Sequence, residues 1–341
     1  MRLARKEEAA NTSGLQTHTA KVTINATAHH VLSSSLYERK EEAVLRELSC
    51  NAWDAHVEAG VNDPINIKLP TKDDPFLEVT DHGVGMDANE LLNVYTTLFE
   101  STKEDTNDLI GGFGLGSKAP RSISDSYIVT STKNGIKHTL LLFTDKGMPT
   151  HTLLDGEPTT NNNGTTVSVP VSDFEKQNRL HYAVADVFAY WGVRPNINSK
   201  LPRAAPLVQK DFGDAQLLDV SFHPEKRHCL RWVVVGNIAY EIPERLYTCI
   251  RGALGGIPTN ELLDIQLKVP VGTLEVAPSR ERLEDTEDNE STLLSIATRL
   301  KEYLFKEASE LLQVMAKTLS ERIGEVHGTI DLVYNKEFLH N

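Results

Sequence analysis

Residues 45–55 read LRELSCNAWDA and place three polar side chains at helical intervals. Glu47, Asn51 and Asp54 are separated by four and three residues, so in an α-helix all three leave one face on successive turns. This spacing predicts a helix whose polar face contacts another polar group. A carboxylate next to an amide on such a face can activate water while the amide oxygen holds a metal ion.

An apolar stripe predicts the bounds of this helix. Apolar side chains recur from Leu36 to about Ala59 on the side opposite Glu47, and Gly60 follows as a helix-ending residue. For this stretch alone the alternative is a solvated helix face, because Glu and Asn one turn apart are common on exposed helices.

The composition is typical of a globular protein. With 341 residues, 40% of them hydrophobic and 24% charged, the chain is long enough for two domains that each have a core. The 35 basic and 48 acidic residues give a net charge of −13, which argues against bulk attraction to nucleic acid or to an anionic membrane. The charge therefore disfavours DNA as a partner.

Cysteine usage and the N-terminus indicate the compartment. Cys50, Cys229 and Cys249 are odd in number and widely spaced, so they predict neither a disulfide framework nor a CxxC metal site. The N-terminal MRLARKEEAANTSG has no apolar run behind its arginines, and no other stretch reaches the length of a membrane span. The sequence predicts a cytoplasmic protein without a transmembrane segment.

Changes in composition divide the chain into five parts. Residues 1–29 are polar and predict an extended N-terminal arm, and residues 30–191 mix helical and strand patterns within one domain. Residues 192–206 contain three prolines and predict a linker. A second α/β domain is predicted at 207–290, and a helical segment at 291–341.

Periodicity predicts the individual elements. From Ser291 to about Val326, apolar residues recur at intervals of three and four, which predicts one long amphipathic helix. A shorter helical pattern surrounds ELLNVYTTLF. Alternating or apolar runs predict the strands INIKL (65–69), FLEVT (76–80), SYIVTST (126–132), KHTLLLFT (137–144), GTTVSVPV (164–171), RWVVVGNIAYEI (231–242) and LLDIQLKVPVGTLEV (262–276).

The stretch TDHGVGM, residues 80–86, follows the strand FLEV directly. Asp81 at the strand end, with Gly83 and Gly85 after it, gives a carboxylate beside a backbone that another group can approach closely. Such a carboxylate can accept a hydrogen bond from an amino group on a ring. A plain D-x-G turn is the alternative.

The stretch IGGFGLGSKAP, residues 110–120, is rich in glycine. Backbone N–H groups without side-chain bulk can wrap phosphate oxygens, and a helix N-terminus just after them adds a favourable dipole. The order Gly116, Ser117, Lys118 differs from the Gly-Lys-Ser of a P-loop, which disfavours the common NTPase class. A flexible hinge is the alternative.

A fourth stretch, VAPSRERLED at 276–285, lies in the second domain. Arg280 at the end of a strand can project a guanidinium toward an anion bound elsewhere. The alternative is an exposed ion pair with Glu281 or Glu284.

Taken together, LRELSCNAWDA, DHGVGM, IGGFGLGSKAP and NGTTVSV resemble the GHKL ATPases. This superfamily includes gyrase-type topoisomerases, chaperones of the Hsp-ninety type, MutL repair proteins and histidine kinases. The resemblance spans about residues 40–170 and 265–285. It implies an α/β fold with an N-terminal Bergerat-type α/β sandwich ATPase domain, a ribosomal-S-five-like second α/β domain and a long C-terminal helix. It also implies ATP and Mg²⁺ as ligands.

The resemblance implies roles for the residues on the helix and at the strand end. Glu47 would be the general base that deprotonates the attacking water, and Asn51 would coordinate Mg²⁺. Asp54 would support the nucleotide pocket. Asp81 would accept a hydrogen bond from the adenine amino group, with Thr165 assisting through its hydroxyl or a water molecule.

The resemblance also implies a mobile lid at residues 100–118. Gly83 and Gly85, with Met86 beside them, would let the adenine ring approach the backbone. Arg280 would reach from the second domain to the γ-phosphate. The lid residues that would bind the phosphates, mainly through backbone N–H groups, are Gly112, Phe113, Gly114, Leu115, Gly116, Ser117 and Lys118.

At the level of the whole chain, three stretches resemble the rIIA-like proteins of large tailed bacteriophages. They are LSSSLYERKEEAVLRELSCNAWDAH, FESTKEDTNDLIGGFGLGSKAP and VPVGTLEVAPSRERLE. The resemblance implies a phage-encoded ATPase linked to lysis control or to protection from host or prophage defences. Such a protein would act in the host cytoplasm or peripherally at the membrane.

The resulting hypothesis is a Mg²⁺-dependent ATPase that turns over slowly and acts as a conformational switch. ATP would close the lid and draw two protomers, or one protomer and a host or phage protein, into a closed state. One alternative is a nucleotide-gated adaptor in which hydrolysis is incidental. Another is a MutL-like DNA clamp, which the net charge disfavours.

Overall fold

The computed structural model describes residues 36–96, 116–198, 208–218, 229–255 and 264–337. Several predicted features lie outside these ranges: the arm at 1–29, residues 199–206 of the linker, and the lid residues Gly112, Phe113, Gly114 and Leu115.

The first domain is a sheet with helices packed on it. Its helices are α1 (Lys40–Ala59), α2 (Ala88–Thr96) and α3 (Phe174–Val187). Its strands are β1 (Asn66–Lys68), β2 (Phe76–Thr80), β3 (Ser126–Lys133), β4 (Ile136–Asp145), β5 (Met148–Leu153), β6 (Glu157–Pro158), β7 (Gly164–Pro170) and β8 (Asn196–Ile197). The sheet order is β5-β4-β3-β7-β2-β1-β8, with β6 paired to β4.

Apolar residues at every second position of the central strands explain why one face of this sheet is covered. In β2, Leu77 and Val79 are buried, and in β7 the buried apolar residues are Val167 and Val169. Side chains on a strand point to opposite faces in turn, so these four lie on the same side as α1. The strand ends next to α1 therefore bring the TDHGVGM turn and β7 against the polar face of the helix.

The second domain has a five-stranded sheet of order β12-β11-β13-β10-β9. Its strands are β9 (Val208–Asp211), β10 (Ala215–Leu218), β11 (Trp232–Val235), β12 (Ile238–Glu241) and β13 (Asp264–Val269), and its helices are α4 (Glu244–Leu254) and α5 (Glu287–Glu337). Strands β11 and β13 are parallel, and the other pairs are antiparallel.

The long C-terminal helix is longer than its sequence pattern predicts. It begins at Glu287 and is described to Glu337, and its first turns pack on α4. Leu293, Ala297 and Leu300 are buried there, whereas Leu311 is exposed. The mixed α/β class and the long terminal helix are confirmed.

Part of the predicted linker is ordered. Within 192–206, Asn196 and Ile197 form β8 and pair in parallel with β1, so this segment extends the first sheet before the chain continues to the second domain. The domain boundaries stay a prediction. Among the described residues, no helix has both the length and the apolar character to cross a membrane.

Candidate active site

The polar face of α1 is buried. Glu47 and Asp54 are each 2% exposed, and Asn51 between them is half-buried. Gly60 ends the helix in the left-handed conformation, with φ of 67°. Burial of two carboxylates excludes the solvated-face alternative, because charged groups leave water only when other groups compensate them.

Glu47 is paired with Arg280 of the second domain. Arg280 Nη1 donates to Glu47 Oε2 over 2.6 Å, and Arg280 is 3% exposed. Arg46 Nε lies 3.6 Å from the other carboxylate oxygen, Oε1. The alternative in which Arg280 forms an exposed pair with Glu281 or Glu284 is therefore wrong.

Several buried polar atoms around this pair have no hydrogen-bond partner among the described residues. They are Arg280 Nε, Arg280 Nη2, Glu47 Oε1 and Arg46 Nε. Buried polar atoms are normally satisfied, so unsatisfied ones call for an explanation. Guanidinium N–H groups bind phosphate oxygens, and a carboxylate oxygen accepts from water, so these atoms fit a phosphate and a water molecule.

The backbone holds Arg280 in place. Its φ of 56° is in the left-handed region, which is uncommon for a residue with a side chain. Its N–H donates to the Ala277 carbonyl over 2.8 Å, which closes a tight turn. Strain of this kind persists only where surrounding contacts determine the conformation, and here those contacts come from the first domain.

Two of these contacts join the turn to α1. Arg46 Nη2 donates to the Ser279 carbonyl over 2.9 Å. The Glu281 carboxylate accepts from the backbone N–H groups of Glu38 and Arg39, at 3.2 and 3.0 Å. The second domain thus binds the two residues that directly precede α1 as well as Glu47.

Electrostatics reinforce the pairing. Burial alone would lower the pKa of Arg280, but the Glu47 carboxylate raises this pKa well above its ordinary value. On the same helix, burial raises the pKa of the Cys50 thiol to about 12. Cys50 is therefore a core residue and not a nucleophile, since only the thiolate reacts.

Asp81 is fixed at the end of β2. Its Oδ1 accepts from the N–H groups of Gly83 (2.9 Å) and Thr165 (3.2 Å). Its own N–H donates to the Thr165 carbonyl over 2.9 Å. Asp81 and Thr165, predicted as one site, are brought together by the pairing of β2 with β7.

The glycines after Asp81 lie where no side chain fits. A Cβ on Gly83 would be 2.5 Å from the Ala55 carbonyl oxygen, and one on Gly85 would be 1.9 Å from the Thr132 carbonyl oxygen. Gly85 also has a positive φ of 67°. These contacts hold the turn against α1 on one side and against β3 on the other.

A serine that the sequence analysis missed organises the far side of this turn. Ser131 Oγ accepts from the Met86 N–H over 2.8 Å and lies 2.8 Å from Thr165 Oγ1. Arg46 was also missed. No sequence pattern marks either residue, because each acts through partners far away in the chain.

Gly116 brings the end of the glycine-rich stretch to Glu47. A Cβ on Gly116 would lie 2.5 Å from Glu47 Oε2 and 3.7 Å from Asn51 Nδ2. The described end of the predicted lid thus covers the polar face of α1. It does so at the two residues to which the resemblance assigns the base and the metal ligand.

Ser117 and Lys118 point elsewhere. Ser117 Oγ and Lys118 Nζ both donate to the Val94 carbonyl, at 2.9 and 2.7 Å. Val94 lies two residues before Thr96, the last described residue of α2. These contacts anchor the stretch to α2, and a phosphate-binding role for the two side chains stays a prediction.

The described residues are compatible with Mg²⁺ bound through few protein ligands. They contain no group of three His, Cys, Asp or Glu side chains placed to hold a metal ion. Mg²⁺ at nucleotide sites is commonly held by one or two protein oxygens, the phosphates and water. Asn51, beside Glu47 and Gly116, fits that pattern.

Comparison with known proteins points to the same part of the chain. Residues 37–153 match the family model described as "Histidine kinase-, DNA gyrase B-, and HSP90-like ATPase". Similar proteins include an "Endoplasmin homolog" of Dictyostelium discoideum, 30% identical over an alignment of 173 residues that covers 43% of this chain and 22% of that protein. "Chaperone protein HtpG" of Rhodopseudomonas palustris is 32% identical over an alignment of 152 residues that covers 38% of this chain and 23% of that protein.

A third relative, an "Endoplasmin homolog" of Caenorhabditis elegans, is 30% identical over an alignment of 130 residues that covers 30% of this chain and 17% of that protein. This chain therefore spans less than a quarter of the length of the relatives that it matches. The matches support a GHKL-type, Hsp90-like ATPase domain in the part of the chain that contains Glu47, Asn51 and Asp81.

Proposed function

We propose that this protein binds ATP with Mg²⁺, hydrolyses it slowly and uses it as a conformational switch. The observation that carries the proposal is the buried contact between Glu47 of the ATPase domain and Arg280 of the second domain, with Gly116 directly above it. A base, a cation from another domain and a close backbone approach are the parts needed for attack of water on a γ-phosphate.

Each residue has a role in this mechanism. Asp81, held by two backbone N–H groups, accepts from the adenine amino group. Asn51 would hold Mg²⁺, which would neutralise phosphate charge. Glu47 takes the proton of the attacking water, and Arg280 stabilises the negative charge that develops on the transferred phosphate.

The ion pair is the proposed cause of slow turnover. While Arg280 Nη1 binds Glu47 Oε2, that carboxylate oxygen is not available to the attacking water. A γ-phosphate competes with Glu47 for the guanidinium, so binding of ATP releases the base and shifts the position of Arg280 at the same time. The nucleotide state is thereby coupled to the placement of the second domain.

Glu47→Gln separates binding from hydrolysis. Glutamine keeps the size of the side chain but cannot take a proton, so phosphate release should fall at least about 100-fold while ATP binding stays within about threefold of wild type. The exposed Glu302→Gln on α5 is the control and should leave both unchanged. Phosphate release by Glu47→Gln at the wild-type rate would contradict the assignment of the base.

A nucleotide-gated adaptor is the second candidate. It is favoured by the exposed apolar side chains of α5, among them Leu311, Met315, Leu319 and Ile323, because exposed apolar patches commonly mark sites of protein interaction. An adaptor would keep its biological role in Glu47→Gln, whereas a hydrolysis-driven switch would lose it.

The finer roles are proposals as well. The closed state joins two protomers, or one protomer and a host or phage protein, in the cytoplasm or peripherally at a membrane. The rIIA-like role in lysis control or defence rests on the sequence resemblance alone, and none of the relatives named above is a phage protein. A MutL-like DNA clamp stays disfavoured by the net charge of −13.

A further inference from the structure

The C-terminal end of α1 carries a histidine with one defined protonation state. His56 is fully buried, its Nδ1 lies 2.9 Å from the Asp63 carbonyl oxygen, and its Nε2 lies 2.8 Å from the His82 backbone nitrogen. A carbonyl oxygen can only accept and a backbone N–H can only donate. Nδ1 must therefore carry the proton and Nε2 must accept, which defines a single neutral tautomer.

This histidine ties the Asp81 turn to the helix. The N–H that His56 accepts belongs to the residue directly after Asp81. One residue further on, Gly83 lies against the carbonyl of Ala55, which is the helical neighbour of His56. The turn and the helix end are thus joined by a hydrogen bond and by a close backbone contact, which together fix Asp81 relative to α1.

The hydrogen bonds continue to the edge of the sheet. His82 Nε2 lies 2.9 Å from Asn66 Nδ2, and Asn196 Nδ2 donates to Asn66 Oδ1 over 3.1 Å. Asn196 is in β8, after which the chain continues toward the second domain. These side chains orient the His82 ring. The ring therefore does not replace the His82 backbone N–H as the partner of His56 Nε2.

Few charged or titratable groups face His56. Desolvation by burial, the largest effect, lowers the pKa of His56 below its ordinary value of 6.5, and the nearby His82 lowers it further. The Asp63 carbonyl and carboxylate act in the opposite direction without reversing the shift. Among the described residues, the other ring close to His56 is that of Trp53, which carries no charge and whose centroid is 6.2 Å away.

We propose that His56 is a positioning residue for the nucleotide site, and that protonation of its Nε2 releases the Asp81 turn and weakens nucleotide binding. This inference rests on the proposed function.

The geometry gives the physical reason. A protonated His56 would place an N–H at Nε2 directly against the His82 N–H, at a separation of 2.8 Å. Two donors cannot share a hydrogen bond, so either the turn moves away or Nε2 stays unprotonated. Burial, which lowers the pKa of His56, also opposes this protonation.

The sign of the pH effect follows from the lowered pKa of His56. The folded state with the turn in place binds the proton less readily than the unfolded chain or a state with the turn released. The contribution of His56 to the stability of the folded state, with the turn in place, is therefore complete above about pH 6.5. It is lost as the pH falls through the lowered pKa of the folded state.

The test compares variants of the full chain by calorimetric titration with ADP between pH 7.5 and 5.5. His56→Gln offers an acceptor oxygen to the His82 N–H but does not titrate, whereas His56→Leu offers none. ADP itself takes up protons in this range, so the measured quantity is the ratio of wild-type to variant affinity at each pH. His82→Gln keeps the backbone N–H and removes the neighbouring imidazole ring, and the exposed His151→Gln is the surface control.

At pH 7.5, His56→Gln should bind ADP within about threefold of wild type and His56→Leu at least about fivefold more weakly. Between pH 7.5 and 5.5, wild type should lose roughly fivefold or more in affinity relative to His56→Gln. The His151→Gln protein should follow wild type, and His82→Gln should keep the pH dependence but shift it to higher pH, because the His82 ring lowers the pKa of His56. Equal pH dependence in wild type and His56→Gln, or wild-type affinity in His56→Leu at pH 7.5, overturns the proposal.

Thermal unfolding without nucleotide separates this inference from the proposed function. The Tm of wild type should fall relative to that of His56→Gln below about pH 6.5, because only wild type can bind the extra proton on unfolding. If wild type binds no ADP but this Tm difference appears, the proposed function fails and the positioning of the turn by His56 stands. If the Tm difference is also absent, both fail.

Discussion

Glu47 of α1 and Arg280 of the second domain form an ion pair in which Oε2 and Nη1 are 2.6 Å apart. The two residues are separated by 233 positions in the sequence, and both side chains are almost completely buried. One contact therefore serves two purposes, because it joins the domains and occupies the proposed catalytic base.

A double-mutant cycle on this pair measures its strength. Glu47→Gln and Arg280→Met should each lower the free energy of unfolding by about 3 kcal/mol, since each leaves a buried group without its ionic partner. The double variant should lose less free energy of unfolding than the two single variants lose together. Urea unfolding should give a coupling energy of about 2 kcal/mol.

The control cycle is the exposed pair Glu41 and Arg179, whose Oε1 and Nε are 3.0 Å apart. Its coupling should stay below about 1 kcal/mol because water screens exposed pairs. Equal coupling in the two cycles would mean that burial adds nothing to the Glu47–Arg280 contact.

Gly116→Ala should disturb the base without removing it. The added Cβ would lie 2.5 Å from Glu47 Oε2, so the carboxylate must shift and phosphate release should fall at least about tenfold. Gly252→Ala is the matched control, since a Cβ there meets nothing within 4 Å. Unchanged turnover in Gly116→Ala would exclude a catalytic geometry in which the loop lies this close to Glu47.

Glu281→Ala should loosen the contact between the domains. It removes the carboxylate that accepts from the N–H groups of Glu38 and Arg39, the two residues directly before α1. Loss of such hydrogen bonds costs about 1 kcal/mol, and amide hydrogen exchange of Glu38 and Arg39 should increase. The Glu302→Ala variant on exposed α5 should show neither change. Protection of these two N–H groups at the wild-type level in Glu281→Ala would argue against the contact.

Much of the first domain follows from sequence patterns that are local. The helix around Glu47 ends at Gly60 as predicted, and FLEVT forms β2 with the predicted bounds, because apolar periodicity and a left-handed glycine act within a few residues. Strand β5 was missed since its Met148–Leu153 segment is largely exposed and lacks an alternating apolar pattern. Helix α3 was missed too, although Asp173 caps it.

Long-range partners could not be predicted from such patterns. The sequence places Arg280 after a strand, but its pairing with Glu47 depends on how two domains meet. Lys118 resembled a phosphate ligand by its position after the glycines, yet its Nζ donates to the Val94 carbonyl, a contact that only the fold reveals. His56 gave no signal at all, because its role depends on a turn 26 residues away.

Calorimetric titration of ATP with and without Mg²⁺, on wild type and on Asp81→Asn, tests the central claim most directly. Asparagine keeps an oxygen for the N–H groups of Gly83 and Thr165 but can turn an NH₂ donor toward the adenine amino group. We expect Mg²⁺-dependent binding to wild type, a loss of at least about 30-fold in Asp81→Asn, and no change in the exposed control Asp145→Asn. Absence of binding to folded wild type, or equal binding to wild type and Asp81→Asn, would contradict a nucleotide site at this turn.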